Sequence, residues 1–205
     1  MNQKSLLIVE SPTKVKTIQQ HLGKEYDVIS CVGHVKDLPK NDLGIDLEND
    51  FKIELAVLPD KKDFIAELRK KSKTADRVLV ATDPDREGEA IASHLATEIP
   101  EEKLDRVQFT EITKAGINEG INNVRDINHD LVAAQTARRV IDRLVGYKVS
   151  PVLWATLQSN MNFVSTNLSA GRVQSAAVKM IVDQDRLRAK FISTNYFDLK
   201  ADLTK

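Results

Sequence analysis

The chain has 205 residues, of which 41% are apolar and 29% charged, and its 30 basic and 30 acidic residues cancel to a net charge of zero. This is the composition of a globular protein and excludes a disordered or fibrous one. No apolar run is long enough to span a bilayer, the opening MNQKSLLIVES lacks the apolar core of a secretory signal, and a lone Cys31 rules out an internal disulfide or a cysteine-based zinc site. A reducing cytoplasm fits these features.

In chain order, residues 6–9 read as a buried strand, followed by a helix start with Ser11 as N-cap and Pro12 at the first position. Val15, Ile18 and Leu22 then share a helical face and Gly23 supplies the stop. Residues 26–32 suit a second strand, 36–50 a long loop rich in Asp, Asn, Pro and Gly, and 51–58 an edge strand. Residues 60–71 form an amphipathic helix with Phe64, Ile65 and Leu68 inward. A strand at 77–81, a helix at 86–97, a short strand at 106–109 and a Thr-capped helix at 113–124 follow. Strands alternating with helices predict an α/β fold, a mostly parallel Rossmann-like sheet with helices on both faces.

After Asn128 the texture becomes helical. Residues 131–145 form one helix, Pro151 starts another through 157, and 168–190 carry a long one, with an irregular connection at 158–167. Residues 194–203 alternate, with Tyr196, Asp198, Lys200 and Asp202 on one face and Phe197, Leu199, Ala201 and Leu203 on the other, which predicts a half-buried strand. Charge divides along the same line. Residues 1–131 hold 19 Lys/Arg against 25 Asp/Glu, a net of −6, whereas 132–191 hold 9 against 3, a net of +6. Metal chemistry in an acidic half and polyanion binding in a basic half are the expectation, although a solvated surface explains the same numbers. The helical part lacks a closed core of its own, so the chain reads as the front of a larger protein.

The most informative run is VLVATDPDREGEA, where four apolar residues end in Asp83, Asp85, Glu87 and Glu89. Residues two apart in an extended segment project to one side, so Asp83 and Asp85 can converge on a hard cation such as Mg²⁺. The competing explanation makes Asp83 an N-cap, Pro84 the first helical residue and the later acids complements to the helix dipole. That accounts for one or two acids, but four repel one another, and Gly88 weakens the helix they would cap. A second turn, LLIVESPTK, has the same form. If the two strands are adjacent, Glu10 faces Asp83 and Asp85 beyond the strand ends, where open α/β sheets place ligands. Arg139 and Arg143 lie one helical turn apart and suit successive phosphates, while Arg138 has Asp142 at pairing distance. The turn at 169–174 puts free amides and Arg172 at a helix start, a phosphate-binding arrangement.

LLIVESPTK, GHVKDLP, ATDPDREGEA, TARRVIDRLVGYKVSPVLW and LSAGRVQSAAV together resemble the bacterial type IA DNA topoisomerases, over essentially the whole chain and most like topoisomerase I. The resemblance implies a Toprim domain at 1–128, the first segment of a helical DNA-binding domain at 129–192, and the start of a gate domain at 193–205. It implies Mg²⁺ held by Asp83, Asp85 and Glu87, with Glu10 as ligand or acid/base, and catalytic roles for Glu10, Lys14 and Arg172 at the scissile phosphate. DNA contacts would come from His34, Arg138, Arg139, Arg143, Lys148, Ser169, Ala170, Gly171, Arg172, Val173 and Gln174. The implied activity is relaxation of negatively supercoiled DNA through a transient single-strand break and a phosphotyrosine. The absence of a Walker-type loop agrees with ATP independence. The parent enzyme would be a monomer on nucleoid DNA in the cytoplasm. Two features depart from the family. None of Tyr26, Tyr147 and Tyr196 lies in its nucleophile motif, and the 158–167 connector is longer than the short basic link expected there. The chain alone is therefore expected to bind Mg²⁺ and, weakly, single-stranded DNA without cutting it. A Toprim nuclease or primase and a non-catalytic DNA-binding module are the alternatives.

Overall fold

Four short apolar segments pair in parallel to form the central sheet of the computed structural model, which describes residues 4–158 and 168–203. In chain order the elements are β1 (Ser5–Val9), α1 (Pro12–Leu22), β2 (Tyr26–Ser30), β3 (Lys36–Asp37), β4 (Ile45–Asp46), β5 (Lys52–Ile53), β6 (Ala56–Val57), α2 (Lys62–Thr74), β7 (Val78–Ala81), α3 (Arg86–Ala96), β8 (Leu104–Arg106), α4 (Lys114–Asn122), α5 (His129–Gln158) and α6 (Arg172–Ala189). The sheet order is β2-β1-β7-β8, with Val9 level with Ala81. Two compact units are present, residues 1–144 and 145–205.

Alternation along the strands divides the first unit's core into two layers. Leu6, Ile8, Val78 and Val80 face Ile65 and Leu68 of α2 and Ile91 and Leu95 of α3. Leu7, Val9, Leu79 and Ala81 face Ile18 of α1 and Ile117 and Ile121 of α4. A parallel sheet covered on both faces needs continuous apolar strands, and LLIV and VLVA are such runs. Each buried Leu or Ile contributes about 1.5–3 kcal/mol. A small third cluster joins Leu38 and Ile45 to Val140 at the front of α5.

The predicted edge strand at 51–58 is not one strand. Asp50 and Phe51 have positive φ, which breaks the extended run. β5 pairs with β4 and β6 with β3 as separate antiparallel pairs outside the main sheet. The long loop at 36–50 therefore contains β3 and β4. The strand predicted at 106–109 pairs earlier, as β8, because β7 offers its first partner at Val78 opposite Leu104. The break predicted at Pro151 is absent, since α5 continues through it. A proline φ is compatible with a helix, and the ring forfeits one backbone hydrogen bond without ending the run. The helix predicted from residue 168 begins at Arg172. The alternating strand predicted at 194–203 does not form. Tyr196, Phe197, Leu199 and Leu203 are each at least 85% exposed, and a strand without a partner leaves its backbone unpaired. The irregular connection at 158–167 lies, beyond Gln158, outside the described residues. No helix of the described residues is long and apolar enough to cross a membrane.

A candidate metal and DNA site at the strand ends

The sheet reverses its winding between β1 and β7, because β2 lies outside β1 and β8 outside β7. Open α/β sheets bind ligands in the crevice at such a switch point, beyond the carboxyl ends of the strands. Glu10 follows β1 directly, and Asp83 and Asp85 follow β7, so the two similar turns lie side by side. Their carboxylates interact. Burial raises the Glu10 pKa above its ordinary value, and the negative charges of Asp83 and Asp85 raise it further, against the opposing charges of Lys14 and His34.

Each acid of the run has a distinct engagement. Lys14 Nζ is ion-paired with Asp83 Oδ1, both side chains partly exposed. Asp85 is the N-cap of α3, its Oδ1 accepting the Gly88 N–H at 2.8 Å. The capping explanation is thus right for one acid, at Asp85 and not at Asp83, and α3 begins at Arg86. Glu87 Oε1 lies 2.6 Å from His34 Nε2, and Glu87 Oε2 accepts from Gln135 Nε2 at 2.8 Å. Glu89 is fully buried against Arg106, whose Nη2 donates at 2.7 Å to its Oε1. Burial opposes the charge on Glu89, but hydrogen bonds from Arg106, the Asn128 N–H and Gln108 outweigh it and leave the pKa below the usual carboxylate value.

The turn itself is built tightly. Arg106 Nη1 donates to the carbonyls of Val80 and Thr82 at 3.1 and 3.0 Å, and its Nη2 reaches the Asp83 carbonyl at 3.2 Å. Thr82 Oγ1 closes the turn on the Gly88 carbonyl at 2.6 Å. A Cβ on Gly88 would lie 2.0 Å from the Asp83 carbonyl oxygen, so only glycine admits this approach. The glycine that reads as a helix weakness in the sequence is the contact that seats the acidic turn.

The donor set suits a hard cation. Glu10, Asp83 and Asp85 offer oxygen ligands only and repel one another, and Mg²⁺ is commonly held through one or two carboxylates with water completing the shell. As the side chains stand, no three Asp, Glu, His or Cys groups among the described residues converge on one point. Lys14 holds Asp83 and the Gly88 amide holds Asp85.

His34 is set by an unusual turn. Val32 and Gly33 both have positive φ, 54° and 82°, and a β-branched residue there is strained. Lys61 Nζ steadies the turn by donating to the carbonyls of Cys31 and Val32 at 3.0 and 2.8 Å. Beyond His34 a cavity of about 110 Å³ opens, lined by Lys36, Leu38, Glu87, His94, Gln135 and Arg139 among others. Two of its lining atoms, Gln135 Oε1 and His94 Nδ1, are buried without a hydrogen-bond partner. Burial pushes the His94 pKa down to about 4, helped by the charges of His34 and Lys36, so the ring is neutral at pH 7. Buried polar atoms of this kind call for a ligand or water.

The arginines expected at phosphates have partners within the chain. Arg139 is ion-paired with Asp37, and Arg143 Nη1 donates to the Pro39 carbonyl at 2.8 Å. Burial opposes ionisation of Asp37, but the Arg139 and Leu38 hydrogen bonds win and its pKa is lowered. Arg138 approaches Asp142 at 3.8 Å, the pairing its spacing allows. In the second unit Lys148 is exposed on α5, and Gly171 is the N-cap of α6 with Arg172 its first residue. Ser169 accepts from Gln174 Nε2 at 3.1 Å, and the Ala170 N–H donates to Ser150 Oγ at 2.9 Å. Val173 is 67% exposed.

Residues 5–113 match the Toprim domain family and residues 126–205 the DNA topoisomerase family. This chain belongs to the bacterial type IA DNA topoisomerases. Its fold is similar to full-length topoisomerase I from Thermotoga maritima, with 46% identity over 91% of this chain and a TM-score of 0.78. The chain spans 31% of the length of that relative. Toprim domains generally bind Mg²⁺, and the second match separates this chain from Toprim nucleases and primases. Arg106, Gln135, His94 and Lys61 were not singled out in the sequence, and Glu89 stood out as one of four acids but not as the buried partner of Arg106. Arg106 ends β8, whose sequence LDR is charged rather than apolar, so neither it nor the single His, Gln and Lys residues in helices and loops carried a signal.

Proposed function

We propose that this chain supplies the metal-holding half of a topoisomerase I site, in an enzyme that relaxes negatively supercoiled DNA by transient single-strand cleavage without ATP. The observation that carries the reading is the pairing of β1 with β7, which sets Glu10 beside Asp83 and Asp85 at the switch point. Mg²⁺, when bound there, supplies electrostatic positioning of the broken strand's ends for religation. Asp83 and Asp85 hold it with Glu10, and Glu87 orients His34 toward the DNA. Lys14 offers a positive charge to the scissile phosphate. The cavity beside His34 presents Gln135 Oε1 as an unused acceptor, which supports single-stranded DNA as the partner. Arg172, at the start of α6, serves a phosphate.

The chain by itself does not cleave. Tyr26 opens β2, at the end of the sheet away from Glu10, and Tyr147 and Tyr196 lie on α5 and in the exposed tail. Calorimetric Mg²⁺ titration tests the site: Asp83→Asn with Asp85→Asn should abolish the binding seen in the parent chain. An unchanged isotherm in the double variant refutes it.

A further inference from the structure

Lys14 stands where a cation belongs. It lies on the first turn of α1, the helix that the Glu10 turn opens, and it neutralises Asp83 across the sheet. The other carboxylates of the run are engaged differently: Asp85 by the Gly88 amide, Glu87 by His34 and Gln135, and Glu89 by Arg106. Glu10 meanwhile carries the repulsion of Asp83 and Asp85, which the Lys14 charge offsets. A divalent cation and an ammonium cannot occupy the same carboxylate oxygen, because like charges at contact repel.

We propose that Lys14 is a resident counter-cation that Mg²⁺ displaces from Asp83, so that metal binding releases the ammonium for a DNA phosphate. The proposal rests on the metal site described above and adds a coupling to it. The ion pair is partly exposed, and such pairs are weak, so a millimolar divalent ion competes with it easily. Without metal, Lys14 limits the repulsion among the three carboxylates. With a phosphate drawing Lys14 away, Asp83 is open and Mg²⁺ binds more tightly; by linkage, Mg²⁺ strengthens phosphate binding by the same factor. Lys14 is thus the element that makes the two ligands cooperative.

The test compares the parent chain with Lys14→Gln, Lys14→Arg and Asp83→Asn, by Mg²⁺ calorimetry, thermal unfolding and titration of a short single-stranded oligonucleotide. Circular dichroism confirms the fold of each. Lys14→Gln should bind Mg²⁺ more tightly than the parent by up to about fivefold, the upper end for a weak exposed pair. It should unfold at a lower temperature without Mg²⁺ and recover with it. Mg²⁺ should raise oligonucleotide affinity in the parent and leave it unchanged in Lys14→Gln, while Lys14→Arg behaves as the parent. Equal or weaker Mg²⁺ binding by Lys14→Gln overturns the exchange. If Asp83→Asn loses Mg²⁺ while Lys14→Gln matches the parent, the exchange alone fails. If Asp83→Asn binds Mg²⁺ as the parent does, the metal site itself fails.

Discussion

Replacing Gly88 by alanine tests how the acidic turn is held. The added Cβ would sit 2.0 Å from the Asp83 carbonyl oxygen and 2.8 Å from the Asp83 carbon and nitrogen, where ordinary contact begins at 3.4 Å. The shortfall of 1.4 Å (3.4 less 2.0) falls on backbone atoms, which cannot turn aside as a long side chain can. Forced overpacking costs about 1–3 kcal/mol. Moving the Asp83 carbonyl also removes its hydrogen bond from Arg106, a loss of about 1.5–3 kcal/mol for a charged donor. Alanine's better helix propensity returns about 1 kcal/mol. The net expectation is destabilisation of about 1.5–5 kcal/mol, the balance of those terms, with a displaced Asp83 and Mg²⁺ affinity reduced at least tenfold. Urea unfolding followed by circular dichroism and Mg²⁺ calorimetry measure the two effects. A Gly88→Ala chain with the parent's midpoint and Mg²⁺ affinity would show that the close approach does not hold the site.

Three further outcomes follow from the same geometry. The folded His94 pKa of about 4 lies below its ordinary value of 6.5, so between these limits the unfolded chain binds the extra proton. Stability should therefore fall as pH drops from 6.5 toward 4, by up to about 3 kcal/mol, and His94→Gln should flatten that part of the profile. Glu89→Gln strips the charge facing buried Arg106 and should cost about 3–5 kcal/mol in chemical denaturation, and a loss below about 1 kcal/mol would contradict the pair's structural role. Val32→Gly relieves a strained φ of 54° and should stabilise the chain by about 1 kcal/mol, read as a raised unfolding temperature. If it lowers that temperature, the turn before His34 is not strained.

Much of the first unit was legible because its signals are local. The runs LLIV and VLVA, the Ser11–Pro12 start and the Thr113 cap depend on neighbours within a few residues, and the structure reproduces them. The errors arose where one element's fate depends on another. The segment at 51–58 had strand composition but no place in the sheet. The 194–203 stretch had strand periodicity but no partner, and a strand exists only as one side of a pair. Pro151 read as a break because proline is judged by its own chemistry, whereas α5 runs through it.

For the site, the residues alone determined which chemistry is on offer: oxygen donors in Asp83 and Asp85, a second acidic turn at Glu10, and basic side chains along residues 138–148. Which of them meet was decided by the tertiary structure. Register between β1 and β7 brought Glu10 to the aspartates, and the Lys14–Asp83 pair spans 69 residues of sequence. The Arg139–Asp37 pair spans 102, so sequence spacing held no sign that this arginine is ion-paired within its own chain. Residue type sets what a side chain can bind, but its partner is whichever opposite charge the packed sheet and helices bring within contact distance, and sequence spacing does not encode that distance.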